Sequence, residues 1–138
     1  MRTVIVVSND ERWNDQIKLG AAPLGIALEF VPELYSQASA EAVSRGNLIV
    51  VDTGIIPTPE SREINAVNHI LRGRDVVAVY TPGGVALSDV RKAFIVGAQD
   101  VFEKPYTERG IRKLIEHFDG DRFATRKTSS WSVPRVVR

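Results

Sequence analysis

Three residues that are able to take part in phosphoryl chemistry each stand just after an apolar stretch of the sequence. Asp52 directly follows one such stretch, Thr81 follows another, and Lys104 comes shortly after a third. A carboxylate nucleophile, a hydroxyl and a fixed ammonium are what an aspartyl phosphoryl acceptor needs, because the last two stabilise the phosphoryl oxygens. The sequence therefore predicts a phosphoacceptor at Asp52, provided that the fold brings the three side chains together.

Five apolar stretches have the character of β-strands. Three of them are continuous β-branched runs, which are typical of strands covered on both faces. The second stretch alternates in part, and this predicts an edge strand. The predicted strands cover residues 4–7, 26–31, 48–51, 76–80 and 101–102.

Apolar residues recur at helical spacing between and after these strands, and Thr107 is a predicted N-cap for the last helix. The order predicts an α/β fold, a doubly wound five-stranded parallel sheet with five helices, whose site lies at the carboxyl ends of the strands. The apolar positions are Trp13 and Ile17; Leu34, Ala38 and Ala42; Ile64, Val67, Ile70 and Leu71; Val90, Ala93 and Phe94; and Ile111, Leu114, Ile115 and Phe118.

Over residues 2–118 the chain resembles the receiver domains of response regulators, the CheY-like family of two-component systems. Asp52 matches the phosphoacceptor, Thr81 matches the switch hydroxyl, and the run GAQDVFEKP, which ends in Lys104 and Pro105, matches the last-strand signature. The resemblance implies a flavodoxin-like, CheY-like fold and phosphorylation of Asp52 by a histidine kinase or phosphotransfer protein. It implies no enzyme activity beyond self-phosphorylation and dephosphorylation. It also implies a cis peptide bond before Pro105.

One part of the predicted site departs from the family pattern. This part is the metal corner, the residues directly after the first strand that would bind a metal ion. Receivers carry an acidic pair after the first strand that binds the magnesium ion, whereas this chain has Ser8 and Asn9 there, followed by Asp10. Mg²⁺ prefers oxygen ligands and usually relies on one or two carboxylates. The sequence thus predicts a weakened Mg²⁺ site, formed by Asn9, Asp10, Asp52 and the Gly54 carbonyl.

A second departure concerns the way in which receivers couple phosphorylation to a change of shape. Val101 stands where the family commonly has an aromatic residue, and Pro82 follows the switch hydroxyl. The conventional coupling of the hydroxyl to the aromatic ring is therefore predicted to be disabled, or moved to Tyr80 or Phe102.

Composition limits the function classes. The 138 residues suit one domain, predicted at 1–118, followed by a basic and flexible tail or linker at 119–138 that holds five basic side chains against two acidic ones. The remaining part of the chain is mildly acidic, so we expect no direct nucleic-acid binding. No cysteine is present, and no apolar run approaches the roughly 20 residues of a membrane span, so a cytoplasmic protein is predicted.

Two alternatives remain at this point. The first is a pseudo-receiver, which keeps the fold without phosphorylation and uses helix 4, strand 5 and helix 5 as a surface for a homodimer or a partner protein; Ser8 and Asn9 favour it. The second is a flavin or nucleotide binder that uses Ser8, Asn9 and Thr81 as anion ligands. The acidic residues nearby, Asp10 and Asp52 among them, disfavour it because they repel a phosphate.

Overall fold

The computed structural model describes residues 3–83 and 86–118, with the side chains of the last two of these residues left out. Five strands alternate with five α-helices, and a short 3-10 turn follows the first helix. The strands are β1 (Thr3–Val7), β2 (Ala27–Val31), β3 (Leu48–Asp52), β4 (Val76–Tyr80) and β5 (Asp100–Glu103). The helices are α1 (Glu11–Ala21), α2 (Gln37–Ser44), α3 (Glu63–Leu71), α4 (Leu87–Ile95) and α5 (Glu108–Phe118), and the 3-10 turn covers Ala22–Leu24.

All five strands pair in parallel, in the order β2-β1-β3-β4-β5. The predicted doubly wound parallel sheet is confirmed, and the partly alternating second strand does lie at an edge. The direction of winding reverses between β1 and β3. In such sheets the crevice at that reversal, outside the carboxyl ends of the strands, is where ligands bind.

The sheet is covered on both faces, which explains why the central strands are continuously apolar. Alternate residues of β1 enter opposite cores, with Ile5 on one side and Val6 on the other. The first core packs against α2, α3 and α4, and the second packs against α1 and α5, as the buried residues of these helices indicate. The sheet therefore lies between two packed layers of helices.

Two helix faces differ from the predicted ones. Leu34 is buried but lies before α2, because Ser36 caps that helix by accepting a hydrogen bond from the Ser39 amide at 3.1 Å. Ala38 consequently points outward. Phe94 of α4 is 63% exposed, because α4 packs on the sheet through Ala93 instead.

No helix among the described residues is long and apolar enough to cross a membrane. The predicted tail at 119–138 lies outside the described residues.

Candidate phosphoacceptor site

The carboxyl ends of three strands bring the predicted site residues together. The ammonium of Lys104, the residue after β5, donates to Asp52 Oδ2 at 2.6 Å and to Thr81 Oγ1 at 3.4 Å. Backbone pairing aligns the ends, since the Lys104 amide donates to the Tyr80 carbonyl at 2.8 Å. The register of parallel strands therefore places a carboxylate, a hydroxyl and an ammonium within reach of one another.

The Lys104 ammonium is buried among its partners. Its side chain is 2% exposed and that of Asp52 is 8% exposed. A third oxygen, Asp10 Oδ2, lies 3.3 Å from Nζ, so each of the three ammonium protons has an acceptor. The indole ring of Trp13 lies below the charge, with its centroid 5.6 Å from Nζ. This environment holds Lys104 in one position, because an unpaired ammonium would be costly to bury.

Asp10 enters the site from the start of α1. As the N-cap residue, it accepts a hydrogen bond from the Trp13 amide at Oδ1, and its other oxygen, Oδ2, faces Lys104. The sequence placed this residue at the margin of the predicted metal corner. The capping bond orients the carboxylate so that Oδ2 points into the corner, and the side chain stays 26% exposed.

Tyr106 is a site residue that the sequence analysis missed. Its hydroxyl donates to Asp10 Oδ2 at 2.5 Å, and the Arg12 guanidinium lies 5.1 Å from its ring centroid. Its place two residues after Lys104, at the same sheet edge, was the one available signal. Loop direction decides whether such a side chain turns inward, and local sequence does not determine that.

The two partners shift each other's protonation. Burial works against ionisation of Asp10, but hydrogen bonds from Tyr106, Trp13 and Lys104, together with the Lys104 charge, outweigh it and lower the Asp10 pKa below its usual 3.8. Burial, followed by the hydrogen bond to Asp10, raises the pKa of Tyr106 to about 12. Asp10 is therefore a carboxylate and Tyr106 a neutral donor at physiological pH.

The other predicted metal ligands are less well placed. Asn9 is exposed, whereas Ser8 is buried and its hydroxyl accepts a hydrogen bond from the Asp10 amide at 3.0 Å. Gly54 follows the acceptor in a tight turn, where its amide donates to Asp52 Oδ1 at 2.9 Å. Within residues 3–83 and 86–118 no three His, Cys, Asp or Glu side chains form a metal-binding group.

The donor set nevertheless fits a weakly held Mg²⁺. Asp10 and Asp52 each direct one oxygen toward the same point, which Lys104 now contacts. Mg²⁺ is often bound by only one or two carboxylates while it keeps several water ligands. Two converging carboxylates satisfy that minimum, although a metal ion would have to share them with the ammonium.

The expectation of a cis bond before Pro105 is wrong. No cis peptide bond occurs within the described residues, so the bond between Lys104 and Pro105 is trans. An X–Pro bond favours trans by about 0.5–1 kcal/mol, and the trans chain already brings the Lys104 ammonium to 2.6 Å from Asp52. Placement of the lysine thus does not require the cis isomer.

Among the known proteins compared, only solved structures match this chain. No protein-family model matches the sequence, and no curated protein matches it. Among solved structures, a CheY-like receiver domain from Methanospirillum hungatei JF-1 has a TM-score of 0.62 and 17% identity, over 94% of this chain and 98% of that one. The receiver domain of a putative Luxo repressor protein from Vibrio parahaemolyticus has a TM-score of 0.61 and 14% identity, over 93% and 94%.

An orphan response regulator of H. pylori gives a TM-score of 0.59 at 18% identity, over 91% of this chain and 96% of that one. At such identities the likeness concerns architecture, and the coverage extends over nearly the whole of each chain. Together with the β2-β1-β3-β4-β5 sheet, it shows that this chain has the fold of CheY-like response-regulator receiver domains.

Proposed function

We propose that the protein is a receiver domain of a two-component phosphorelay, with Asp52 as the phosphoacceptor. The observation that carries the proposal is the position of the Lys104 ammonium, within hydrogen-bonding distance of both Asp52 and Thr81. A lysine placed between a carboxylate and a hydroxyl is suited to hold the oxygens of a phosphoryl group attached to that carboxylate.

The phosphoryl donor is a phosphohistidine of a histidine kinase or phosphotransfer protein, met in the cytoplasm. An oxygen of Asp52 attacks phosphorus, the new O–P bond forms as the P–N bond breaks, and the imidazole nitrogen keeps the electron pair and takes up a proton. Lys104 and Thr81 then stabilise the phosphoryl oxygens. The domain turns over no separate substrate, so its chemistry is limited to gaining and losing this group.

Magnesium binding in this proposal is weak. Asp10 and Asp52 would supply the carboxylates, and Asn9 and the Gly54 carbonyl would supply further oxygen atoms. When bound, Mg²⁺ would offset the negative charge that develops on the phosphoryl oxygens. Tyr106 restrains Asp10 through its hydrogen bond, so the carboxylate keeps one orientation toward this corner.

A second candidate is a pseudo-receiver that acts through binding alone. The observation in its favour is that Asp10, the remaining acidic residue of the corner, already has Tyr106 and Lys104 as partners. Its partner surface would be α4-β5-α5, for a second copy or another protein. Leu87 and Phe94 are 77% and 63% exposed there, and two helical turns separate them, so they lie on one side of α4.

The two candidates are separated by phosphoryl labelling. The protein is incubated with acetyl phosphate or phosphoramidate, with and without millimolar Mg²⁺, and its intact mass is measured. A metal-dependent gain of one phosphoryl group that is lost in Asp52→Asn, and kept in the exposed control Asp15→Asn, supports the phosphorelay. A folded wild-type protein that gains no mass under any of these conditions excludes it and leaves the pseudo-receiver.

A further inference from the structure

Thr53, the residue next to the acceptor, is tied to helix α4 by two side chains. Its side chain is buried, and Oγ1 donates to Asp89 Oδ1 at 2.7 Å. The Lys92 ammonium approaches the Thr53 carbonyl at 3.5 Å. Asp89 and Lys92 are three residues apart and thus lie on one side of α4. One residue at the end of β3 therefore meets α4 through both its hydroxyl and its backbone.

The other polar groups around Thr53 connect it to Asp52 and to the sheet. The Thr53 amide donates to the Val79 carbonyl at 2.9 Å, which continues the pairing of β3 with β4. The next amide, that of Gly54, donates to Asp52 Oδ1, and the Ile55 amide donates to the Asp52 carbonyl, both at 2.9 Å. The Asp52 carboxylate is thus hydrogen-bonded to the turn that carries Thr53.

Helix α4 also contacts the domain elsewhere: Ile95 is partly buried against the core, and Arg91 forms an exposed ion pair with Glu60 at 3.8 Å. Ala93 is the one residue within the helix that is buried. Asp89 also stabilises the start of the helix, where its Oδ2 accepts a hydrogen bond from the Ala86 amide at 3.2 Å. Segments with few buried apolar contacts open most readily, and a hydrogen bond to a charged acceptor is stronger than a neutral one. The bond from Thr53 to Asp89 is therefore one of the contacts that hold α4 in place, and the buried one that starts beside Asp52.

We propose that Thr53 and Asp89 are positioning residues that couple the state of Asp52 to the position of α4. This inference rests on the proposed function, since a phosphorylated Asp52 is what makes the coupling regulatory. A phosphoryl group on Asp52 changes the acceptor that the Gly54 amide now uses, the turn at Thr53 shifts, and the hydrogen bond from the Thr53 hydroxyl to Asp89 weakens. This route to α4 does not pass through Thr81.

Hydrogen exchange on a double-mutant cycle tests the coupling. Amide exchange at residues 91–95 is measured in the wild type, Asp52→Ala, Thr53→Val and the double variant. Loss of one charge-assisted hydrogen bond should make exchange in Thr53→Val about tenfold faster. Asp52→Ala should speed exchange several-fold in the wild-type background and add nothing in Thr53→Val. An equal Asp52→Ala effect in both backgrounds overturns the proposal.

Control variants separate coupling from simple destabilisation. Thr53→Ser keeps the hydroxyl and should preserve the response of α4 to Asp52→Ala. Thr58→Val, in an exposed loop, makes the same chemical change elsewhere and should leave exchange at 91–95 unaltered. If the valine variant does not fold, Thr53→Ala serves in the cycle, because it removes the donor without placing a methyl group against Asp89. Loss of the response in Thr53→Ser would overturn the proposal as well.

The cycle is independent of phosphorylation. It perturbs Asp52 by substitution, so a coupled α4 is detected even in a protein that takes no phosphoryl label. Conversely, if the protein is labelled at Asp52 but shows no coupling in the cycle, the proposed function stands and this inference fails. A protein that passes both tests should show faster exchange at 91–95 on labelling, and that change should be absent in Thr53→Val.

Discussion

Because Lys104 is buried, its charge is the feature of the site whose loss should lower the free energy of unfolding the most. Removing one partner of a buried ion pair leaves an uncompensated charge, whereas removing both is far less costly. Asp52 depends on this ammonium because both side chains are nearly inaccessible to water. The two residues are therefore coupled in stability as well as in the proposed chemistry, and the coupling is measurable without any ligand.

We predict that Lys104→Met lowers the free energy of unfolding by about 3–5 kcal/mol, because it leaves the Asp52 carboxylate buried without its counter-charge. Urea denaturation at neutral pH measures the change. Adding Asp52→Asn to this variant should recover much of the loss. Lys113→Met, at an exposed position of α5, is the control and should change stability by less than about 0.5 kcal/mol. A cost below about 1 kcal/mol for Lys104→Met would argue against a buried pair.

Tyr106 gives the site a signature at alkaline pH. Its pKa in the folded protein is raised to about 12, above the value of about 10 in an unfolded chain, so the folded state holds its proton more tightly. The contribution of Tyr106 to the free energy of unfolding is therefore fully present below about pH 10 and is lost as the pH rises toward 12. Tyr106→Phe should therefore show a flatter stability profile between these values.

Tyrosinate absorbance measures the same ionisation directly. The wild type should show a step near pH 12, provided that it is still folded there, and Tyr106→Phe should lack it. Tyr35→Phe, which removes an exposed tyrosine, should keep the step. Burial also raises the pKa of Tyr80, so the contribution of Tyr106 is the difference between the titrations of the wild type and Tyr106→Phe. If the absorbance lost in Tyr106→Phe belongs to a step near the ordinary tyrosine pKa of about 10, Tyr106 does not donate to Asp10 in solution.

At the level of elements, the packing of α1 on α5 depends on one residue without a side chain. Gly20 lies inside α1, and a Cβ atom there would stand 2.5 Å from Ile111 Cγ2 and 3.2 Å from Ile115 Cδ1. We predict that Gly20→Ala lowers the free energy of unfolding by about 1–3 kcal/mol, although alanine favours helix by about 1 kcal/mol. Thermal and urea denaturation measure this cost.

A control on the same helix isolates the packing effect. Leu19→Ala changes a side chain that is 76% exposed, so its effect should stay within about 0.5 kcal/mol. If Gly20→Ala stabilises the protein, α1 and α5 are able to move apart, and helix propensity outweighs the contact. The contact of Gly20 with α5 could not be predicted from the sequence, because composition alone gives no information on which helix passes close to it.

The strands and the site triad were predictable because they depend on periodicity and on parallel register. Continuous β-branched runs identify buried strands, and parallel strands gather Asp52, Thr81 and Lys104 whatever their separation in sequence. Tyr106 and the bond from Thr53 to Asp89 were not predictable. Loop geometry and the angle at which a helix meets the sheet decide those contacts, and both arise from packing of the whole chain.

For the whole molecule, the predicted domain boundary after residue 118 remains to be tested. Among the residues that the structure describes, both apolar cores draw their buried side chains from positions 4–115, with Ile111, Leu114 and Ile115 supplied by α5. A chain of residues 1–118 should therefore melt cooperatively, within about 2 °C of the full chain, since a difference of 1 kcal/mol would shift the midpoint by several degrees. Calorimetry of both chains measures this. A chain of residues 1–106, which lacks α5, is the control and should not fold. A much lower midpoint for 1–118 would show that residues 119–138 pack against the domain and are not a linker.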